Sequence, residues 1–460
     1  MTGDFTKAIL EAKAKEKEYL PSLYNITRYF DHCGFIGDYS SRLMAFIALF
    51  LSNKCVAVES LSGSGKTHMV DKLITLSPPT YIYRIDMSSP TAPFYLASSI
   101  NKAKIVYIPE LQKVASNPIV VEILKNFGEG KDIDRDVRNQ NKQTVEKYHL
   151  DCKPFIYTLA TENALKPDEE LGRRVFRINT DVSEEQNKRV LEYKAMKRVV
   201  PDKMETMEES EVILLKRHVE RVMNVPPDIH YVNPFAIYIS KKIPSKFTIS
   251  RTSIDHLFDC IEGVTKWYLA KEKRYYNQNN RTAFVSIIDN WLVYKIYGET
   301  FIYDVLHIPP IGRQILSLLG QNRAYSVSEV QKLMRDIGVP LKTPMIADFL
   351  NRLSFAGYLS MDTTEKMPRY KATDTFTKFE SNINWKECFE KGKEILSKEY
   401  PEDYDKAIKA EDGTTIDPFT GEKTDIFATV FKEPPDIKPI QDTKKLIEEF
   451  GISEPRRNTQ

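Results

Sequence analysis

A strand-like apolar run, a loop of small residues and a helical pattern follow one another between Val56 and Leu73. The run is rich in β-branched residues, the loop reads Ser-Leu-Ser-Gly-Ser-Gly, and the helical pattern begins near His68. Strand, glycine-rich loop and helix in this order bring backbone N–H groups and a helix N-terminus around one phosphate. The sequence therefore predicts a phosphate-binding loop at the carboxyl end of a strand.

Two side chains of this loop carry specific roles. Lys66 is expected to reach the β- and γ-phosphates of a nucleotide, and Thr67 to offer its hydroxyl to Mg²⁺. Ser60 stands where the usual pattern has its first glycine, so a plain Gly/Ser turn before a helix is the alternative. The predicted nucleotide-binding residues are Ser62, Gly63, Ser64, Gly65, Lys66, Thr67 and His68.

Length and composition favour a soluble protein of several domains. A chain of 460 residues is too long for one core, and about two to four domains are expected. A net charge of +2 means that any nucleic-acid surface must be local. The five cysteines are scattered without a CxxC pair, which argues against a zinc ribbon or a disulfide framework. Neither a signal peptide nor a membrane-spanning run is recognisable, so a cytoplasmic location is expected.

A second feature of a nucleotide hydrolase follows the apolar run from Lys104 to Ile108, which ends in Pro109-Glu110. A carboxylate beyond a buried strand can polarise an attacking water, so Glu110 is the predicted catalytic acid, with a surface position as the alternative. Pro109 stands where a first acid would assist the metal. The predicted metal residues are Thr67 and Glu110, with phosphates and water completing the site.

The remaining strands of this region define the fold class. They are predicted at Thr80–Asp86, Pro154–Thr161 and Arg174–Asp181. Alternation of strands with helices after a phosphate loop predicts an α/β fold with a mostly parallel sheet covered on both faces. Its active site is expected at the carboxyl ends of the strands, where Thr67, Glu110 and Asn163 lie. A polar side chain at the third of these positions could hold the attacking water.

Two alternating segments, 133–138 and 144–148, flank a polar stretch and predict a β-hairpin. Arg138 and Lys142 near its tip could contact a phosphate backbone. Because the charges are mixed, a merely solvated hairpin is an equal alternative.

Toward the C-terminus the pattern predicts three short helices and a strand pair, which describe a winged helix–turn–helix. The helices are expected at Pro310–Leu319, Ser326–Ile337 and Thr343–Ala356, and the strand pair at 357–371. Basic residues flank the predicted recognition helix and lie on the predicted wing, where the phosphates of a bound DNA would lie. The predicted DNA contacts here are Lys342, Arg352, Lys366, Arg369 and Lys371. Contact with protein alone is the alternative.

The joint pattern resembles the AAA+ superfamily. The residues that carry the resemblance are Ile-Val-Tyr-Ile-Pro-Glu-Leu-Gln at 105–112, the hairpin, Thr-Glu-Asn at 161–163, Glu-Leu-Gly-Arg-Arg-Val-Phe at 170–176, and the winged helix. The order is most similar to the clade of minichromosome-maintenance helicases and the helicase-like halves of primase proteins from phages, plasmids and integrated elements. The resemblance covers approximately Tyr24 to Thr373. Ser60 and Pro109 depart from the family pattern.

The resemblance implies further roles. Asn163 matches the sensor on the fourth strand, and Arg251 resembles the second sensor arginine. Arg174 matches the arginine finger that reaches a neighbouring subunit's nucleotide, with Arg173 as its rival. A finger acting in trans implies a ring, taken to be a hexamer, and the hairpin from Lys131 to Tyr148 resembles an insertion that grips DNA in the central channel.

The resemblance also implies a domain order and a function. The expected parts are an N-terminal helix (1–23), an AAA+ ATPase core with the inserted hairpin (24–190), a helical lid (191–300), a winged helix (301–374) and a poorly ordered tail (375–460). The expected function is a DNA helicase or translocase that uses ATP and Mg²⁺ to replicate a mobile element, plasmid or virus. An origin-binding initiator or helicase loader that switches with ATP is the first alternative, and a DNA-binding regulator with a structural nucleotide site is the second.

The implied partners are single-stranded or forked DNA, further copies of the chain, and a primase or polymerase. No membrane partner is expected. The implied location is the cytoplasm, at the nucleoid of a prokaryote or in a viral host cell.

Overall fold

The apolar strands around the phosphate loop form one parallel sheet in the computed structural model of this chain. Its strands are β1 (Val56–Ser60), β2 (Ile82–Arg84), β3 (Ile105–Ile108), β6 (Phe155–Ala160) and β7 (Phe176–Asn179). Their order is β2-β3-β6-β1-β7, and every neighbouring pair is parallel. The predicted α/β class with a parallel sheet is confirmed.

The structure describes only part of the 460 residues. The described residues are 11–12, 15–16, 19, 21–86, 92–115, 117–139, 144–160, 169–200, 207–243, 250–270, 274–305, 310–319, 323–355, 357–364, 367–373, 383–409, 415–416 and 423–424.

The chain divides into two compact units. The first contains residues 1–233, 259–292 and 402–460, and the second contains 234–258 and 293–401. The predicted domain boundaries remain predictions.

Helices of the first unit cover the sheet. They are α1 (Leu23–His32), α2 (Tyr39–Phe46), α3 (Lys66–Ile74), α4 (Ala92–Tyr95), α5 (Ala97–Lys102), α6 (Leu111–Val114), α7 (Pro118–Gly128), α8 (Glu169–Arg173), α9 (Glu184–Val199) and α10 (Glu209–Met223). A π-helical turn, Ile47–Leu51, continues α2, and a 3-10 turn occupies Pro79–Tyr81. Helix α3 contacts β1 and β6, and α2 contacts α3 and β7.

The opposite face of the sheet closes over a large apolar core. Tyr157 and Ile108 lie on this face with Phe127 and Leu124 from α7, all of them buried. Strands that are apolar on both faces must be covered on both sides, which fixes the layered architecture. The loops lie at the edge of the sheet where the strands end.

The predicted hairpin is formed by β4 (Ile133–Asn139) and β5 (Thr144–Leu150), which pair antiparallel from Ile133↔Leu150 to Asn139↔Thr144. It is inserted between α7 and β6. Residues 140–143, and with them Lys142, lie outside the described residues.

The first unit also contains a small sheet and a buried ion pair. The sheet contains β8 (His230–Val232), β10 (Thr282–Phe284) and β9 (Tyr276–Asn277) in that order. Arg274 binds Asp289 through two hydrogen bonds of 2.9 and 2.6 Å, and both side chains are buried. Because removing either partner would leave a buried charge unpaired, this pair fixes the segment that carries it.

The second unit is mostly helical. It holds α11 (Ala236–Ser240), α14 (Pro310–Leu318), α15 (Val327–Asp336), α16 (Thr343–Phe355) and α17 (Trp385–Glu399). Helices α12 (Ser250–Leu269) and α13 (Ile287–Val305) each contain a unit boundary, and α18 (Pro401–Lys409) begins at one. The strands β11 (Tyr325–Ser326), β13 (Arg369–Ala372) and β12 (Leu359–Asp362) form an antiparallel sheet in that order.

Local chemistry explains where α15 begins and how it is joined to α16. Ser326 and Glu329 form a reciprocal capping box, and Gly338 (φ +80°) supplies the left-handed residue of the turn that follows. Three helices and an antiparallel strand pair thus occupy the predicted positions. Their assignment as a winged helix, like that of the lid, remains a prediction.

The chain beyond residue 375 differs from the expected poorly packed tail. Helix α17 buries Cys388, Phe389 and Leu396. The expectation was wrong for this helix because Lys and Glu fill its exposed face and hide a narrow apolar stripe. Beyond α18 the structure describes only the two-residue strands β14 (Thr415–Ile416) and β15 (Lys423–Thr424).

Among the described helices, none combines the length and the apolar character that crossing a membrane requires.

Candidate functional site

The phosphate loop has the backbone conformation that its glycines permit. Gly63 and Gly65 have φ values of +77° and +86°, in the left-handed region that other residues rarely adopt. Gly65 caps α3, which begins at Lys66. The turn is closed by Ser64 N–H donating to Leu61 O at 3.3 Å. Because the first N–H groups of a helix have no partner within it, this end of α3 favours an anion.

Lys66 is directed back into the loop. Its side chain is 8% exposed, and Nζ donates to the Leu61 carbonyl at 2.5 Å. An ammonium group held inside the loop is positioned to exchange this carbonyl for a phosphate oxygen. Ser62, Gly63 and His68 are exposed, and Ser64 is half-buried.

Thr67 contacts a residue that sequence reasoning missed. Its Oγ1 lies 3.4 Å from Oγ1 of Thr158, a buried residue of β6. The Thr158 hydroxyl in turn donates to the carbonyl oxygen of Pro109. The only signal in the sequence is one threonine in a strand of otherwise apolar and aromatic residues.

Glu110 lies two residues beyond the end of β3, at the N-cap position of α6. Its Oε1 lies 3.2 Å from Lys113 Nζ, and its Oε2 accepts from Gln112 Nε2 at 3.3 Å. The carboxylate is partly exposed, with 39% of the side chain accessible. The candidate acid therefore lies at the carboxyl edge of the sheet, where neighbouring side chains hold it.

A loop from residue 33 to 38 borders the phosphate loop, and sequence reasoning assigned it no role. A Cβ atom placed on Gly65 would lie 3.4 Å from Cε2 of Phe35. The Phe35 ring also lies 6.0 Å from the His68 ring, centroid to centroid. Phe35 is buried, with 7% of its surface exposed, whereas His68 is exposed, so the two rings border the phosphate loop from inside and outside the core.

Arg42 anchors the loop 33–38 through buried hydrogen bonds. It is fully buried, and its Nη1 donates to Asp31 Oδ1 at 2.7 Å and to Phe35 O at 2.8 Å. Burial raises the pKa of the Asp31 carboxyl, and the charge of Arg42 opposes this shift. From the other side, Gln186 of α9 donates to Ile36 O at 2.7 Å.

A buried acid also lies directly before the loop. Glu59 of β1 is 9% exposed, and its Oε1 accepts no hydrogen bond within the described part of the chain. Burial raises the pKa of Glu59, and the positive charge of Arg177 lowers it.

Arg174, the predicted finger, is held within its own chain. Its Nη2 pairs with Glu129 and, at 2.7 Å, with Glu170 Oε1. Lys125 and Lys131 extend the network through the same two carboxylates at 2.9 and 2.8 Å. Its rival Arg173 ends α8, and nothing is described of that side chain.

The other predicted residues are spread over the chain. Asn163 and Lys366 lie outside the described residues, and only the backbone of Arg138 is described. Arg251 is exposed near the start of α12 in the second unit. The structure exposes three of the predicted DNA-contact residues, Lys342, Arg352 and Lys371, and half-buries Arg369. Arg352 forms an ion pair with Asp348 at 3.0 Å.

Comparison with known families agrees with this geometry. Residues 33–224 match the family described as the MTBMA_p00010 P-loop domain. The chain therefore contains a P-loop domain of the ATPase-like kind, and its five-stranded parallel sheet fits an AAA+ or related P-loop core. Such a domain implies nucleotide binding, usually with Mg²⁺.

Comparison with individual proteins adds little. A solved structure of a candidate ATPase from Cytophaga hutchinsonii is 11% identical, covers 65% of this chain and 97% of its own, and has a TM-score of 0.35. A similarity of this size carries no functional argument. Among curated proteins, nothing matches.

The donor set fits a nucleotide-bound Mg²⁺ better than a metal held by protein alone. Within the described residues, no group of three or more His, Cys, Asp or Glu side chains could hold a metal ion. Mg²⁺ keeps several waters and accepts few protein ligands beside phosphates. One hydroxyl, that of Thr67, with phosphates and water meets this requirement.

Proposed function

We propose that this protein is a ring-forming, DNA-dependent ATPase that moves along and unwinds DNA during replication of a mobile element, plasmid or virus. The observation that carries the proposal is the position of the hairpin. It is inserted between β3, which is followed by Pro109 and Glu110, and β6, which carries Thr158 beside the phosphate loop. Nucleotide site and candidate DNA grip thus share one stretch of chain.

Hydrolysis would use side chains expected at the carboxyl edge of the sheet. Lys66 and the N-terminus of α3 bind the β- and γ-phosphates, and Glu110 polarises the attacking water. Asn163 is proposed to orient that water. Mg²⁺, when bound, neutralises charge on the phosphates.

An arginine from a neighbouring copy would complete the site. A finger in trans stabilises charge on the transferring phosphoryl group and makes hydrolysis depend on assembly. Arg174 must exchange Glu129 and Glu170 for a phosphate to act this way, whereas Arg173 is the alternative finger. Arg251 is proposed as a second sensor, and a hexameric ring as the assembly.

DNA would meet two surfaces. Arg138 and Lys142 are proposed to contact the strand in the channel. The basic residues of the C-terminal sheet and helices are proposed to contact phosphates outside it. These residues are Lys342, Arg352, Lys366, Arg369 and Lys371.

A strand-displacement assay tests the proposal. The unaltered protein should unwind forked DNA with ATP and Mg²⁺, and its ATPase rate should rise when DNA is added. Lys66→Ala should abolish both activities, and Glu110→Gln should keep nucleotide binding while hydrolysis falls by at least about a hundredfold. ATP-dependent DNA binding without unwinding would instead support an origin-binding initiator or helicase loader.

A further inference from the structure

The site lacks one acid that a nucleotide hydrolase usually has. At the position before Glu110, the chain has Pro109, which has no side-chain oxygen and no N–H. A carboxylate there would accept a hydrogen bond from the phosphate-loop threonine and so orient its hydroxyl. Another group must orient Thr67 if that hydroxyl is to serve as a metal ligand.

Thr158 lies where it can do so. Strand β6 lies between β1 and β3, Val58 pairs with Thr158, and Ile108 pairs with Tyr157. Thr158 is therefore next to both the strand that leads into the phosphate loop and the residue that follows β3. Its side chain is 2% exposed, so water does not compete for its hydroxyl.

The direction of the two hydrogen bonds follows from the number of protons. A threonine hydroxyl has one proton, and a carbonyl oxygen can only accept. Because Thr158 donates to Pro109 O, its Oγ1 must be the acceptor in the 3.4 Å contact with Thr67. The proton of Thr67 then points to Thr158, and the remaining lone pairs of its Oγ1 are directed elsewhere.

We propose that Thr158 is a positioning residue that substitutes for the missing acid: it accepts the Thr67 proton and so presents the Thr67 lone pairs to the Mg²⁺ of a bound nucleotide. This inference rests on the proposed nucleotide site. The chain Thr67–Thr158–Pro109 also links the phosphate loop to the residue next to Glu110. A valine at 158 would fill the same volume, so packing alone does not require the hydroxyl.

The test measures nucleotide binding rather than hydrolysis. Affinity for a fluorescent ATP analogue is determined with excess EDTA and with saturating Mg²⁺, and the ratio of the two affinities is compared between variants. Thr158→Val removes the hydroxyl and keeps the shape, and Thr158→Ser restores the hydroxyl. Thr27→Val is the matched control, since Thr27 is buried and its hydroxyl donates to the carbonyl of Tyr24 at 2.7 Å in α1.

Thr158→Val should bind nucleotide normally in EDTA but lose roughly tenfold of the gain that Mg²⁺ gives, the effect of about one hydrogen bond. Thr158→Ser and Thr27→Val should keep the gain. Thermal melts show whether each variant folds, and Thr158→Ala takes the place of the valine protein if that one does not.

Two results would overturn the inference. One is an unchanged Mg²⁺ gain in a folded Thr158→Val or Thr158→Ala protein when Thr67→Val has lost it. The other is an equal loss in Thr158→Ser and Thr158→Val, which would mean that a hydroxyl at position 158 does not restore the gain and therefore does not account for it. If the unaltered protein binds no nucleotide with or without Mg²⁺, the proposed function itself fails.

Discussion

The charged side chains of the candidate site are each held by a partner of the same chain. Lys66 binds a loop carbonyl, Glu110 binds Lys113, and Arg174 binds two carboxylates. In the proposed mechanism each of these contacts would be exchanged for a phosphate, a water or a group of a neighbouring subunit.

Phe35 should matter for the nucleoside part of the ligand. Phe35→Ala is expected to weaken ATP binding about tenfold, because the ring that packs beside Gly65 and His68 would no longer support the side of the phosphate loop where the base or ribose is proposed to lie. Inhibition by inorganic triphosphate, which has neither, should not change. Phe355→Ala is the control, since Phe355 is 98% exposed in the second unit. Equal losses for ATP and triphosphate would place Phe35 in folding rather than recognition.

Glu262 should make stability depend on pH. Burial, with the negative charge of Asp259, raises the pKa of Glu262 from 4.5 to about 7, and Lys54 opposes the shift. The folded state then binds the proton more tightly than the unfolded chain does, so stability falls as pH rises from about 4.5 to about 7. Glu262→Gln should be more stable by about 1–2 kcal/mol at pH 8, measured by denaturant unfolding. Parallel pH profiles for the two proteins would contradict this.

The residues of the site were predictable only where the sequence keeps them together. Lys66, Thr67 and Glu110 belong to a contiguous loop or follow an apolar strand, and such patterns can be recognised in one chain. Thr158 stands 91 residues from its partner Thr67, and Phe35 approaches Gly65 from a separate loop. Only the strand order β3-β6-β1 and the packing of α1 and α2 bring these side chains to the site.

Helices and strands could be predicted from the sequence where the burial of their residues follows a simple pattern along the chain. Strands β1, β3 and β6 are buried on both faces and read as mostly apolar runs, and the hairpin alternates because only one of its faces packs against the core, through Ile133, Tyr148 and Leu150. Helix α17 escaped prediction because its apolar stripe is narrow. Its docking against α11 depends on Gly392, which leaves room for the Phe235 ring.

Gly392→Ala should loosen this contact. The new Cβ atom would lie 2.2 Å from Cε1 of Phe235, so the ring or the helix must move. We expect a loss of about 1–3 kcal/mol in the free energy of unfolding, measured with denaturant. Ser397→Ala, at an exposed position of the same helix, should leave stability within about 0.5 kcal/mol of the unaltered protein. A neutral Gly392→Ala would show that α17 does not need this close approach.

At the scale of the whole molecule, the net charge is too small to attract a charged partner from a distance. With a net charge of +2, the proposed DNA binding would depend on local surfaces and the proposed assembly on specific contacts between copies. The proposed ring would place the arginine of one copy over the phosphates of the next. The ATPase rate of a mixture of variants would then depend on which variants are neighbours in the ring.

Mixing two inactive variants tests this dependence. Arg174→Ala keeps its own phosphate site and Lys66→Ala keeps its finger, so each lacks only what the other can supply. An equimolar mixture should recover about a quarter of the normal ATPase rate if copies assort randomly, since half of the sites meet half of the fingers. Arg173→Ala mixed in the same way shows which arginine acts. Recovery by neither pair would argue against catalysis in trans.

The short connection after the hairpin has a mechanical consequence. Only residues 151–154 separate the end of β5 from the start of β6, and Cys152 is fastened there by its N–H to Asp132 at 2.7 Å. Tension applied at the hairpin tip is thus delivered to the strand that touches Thr67, with little slack to absorb it. If the hairpin grips DNA as proposed, a load on that DNA would change the rate of ATP hydrolysis through this short connection.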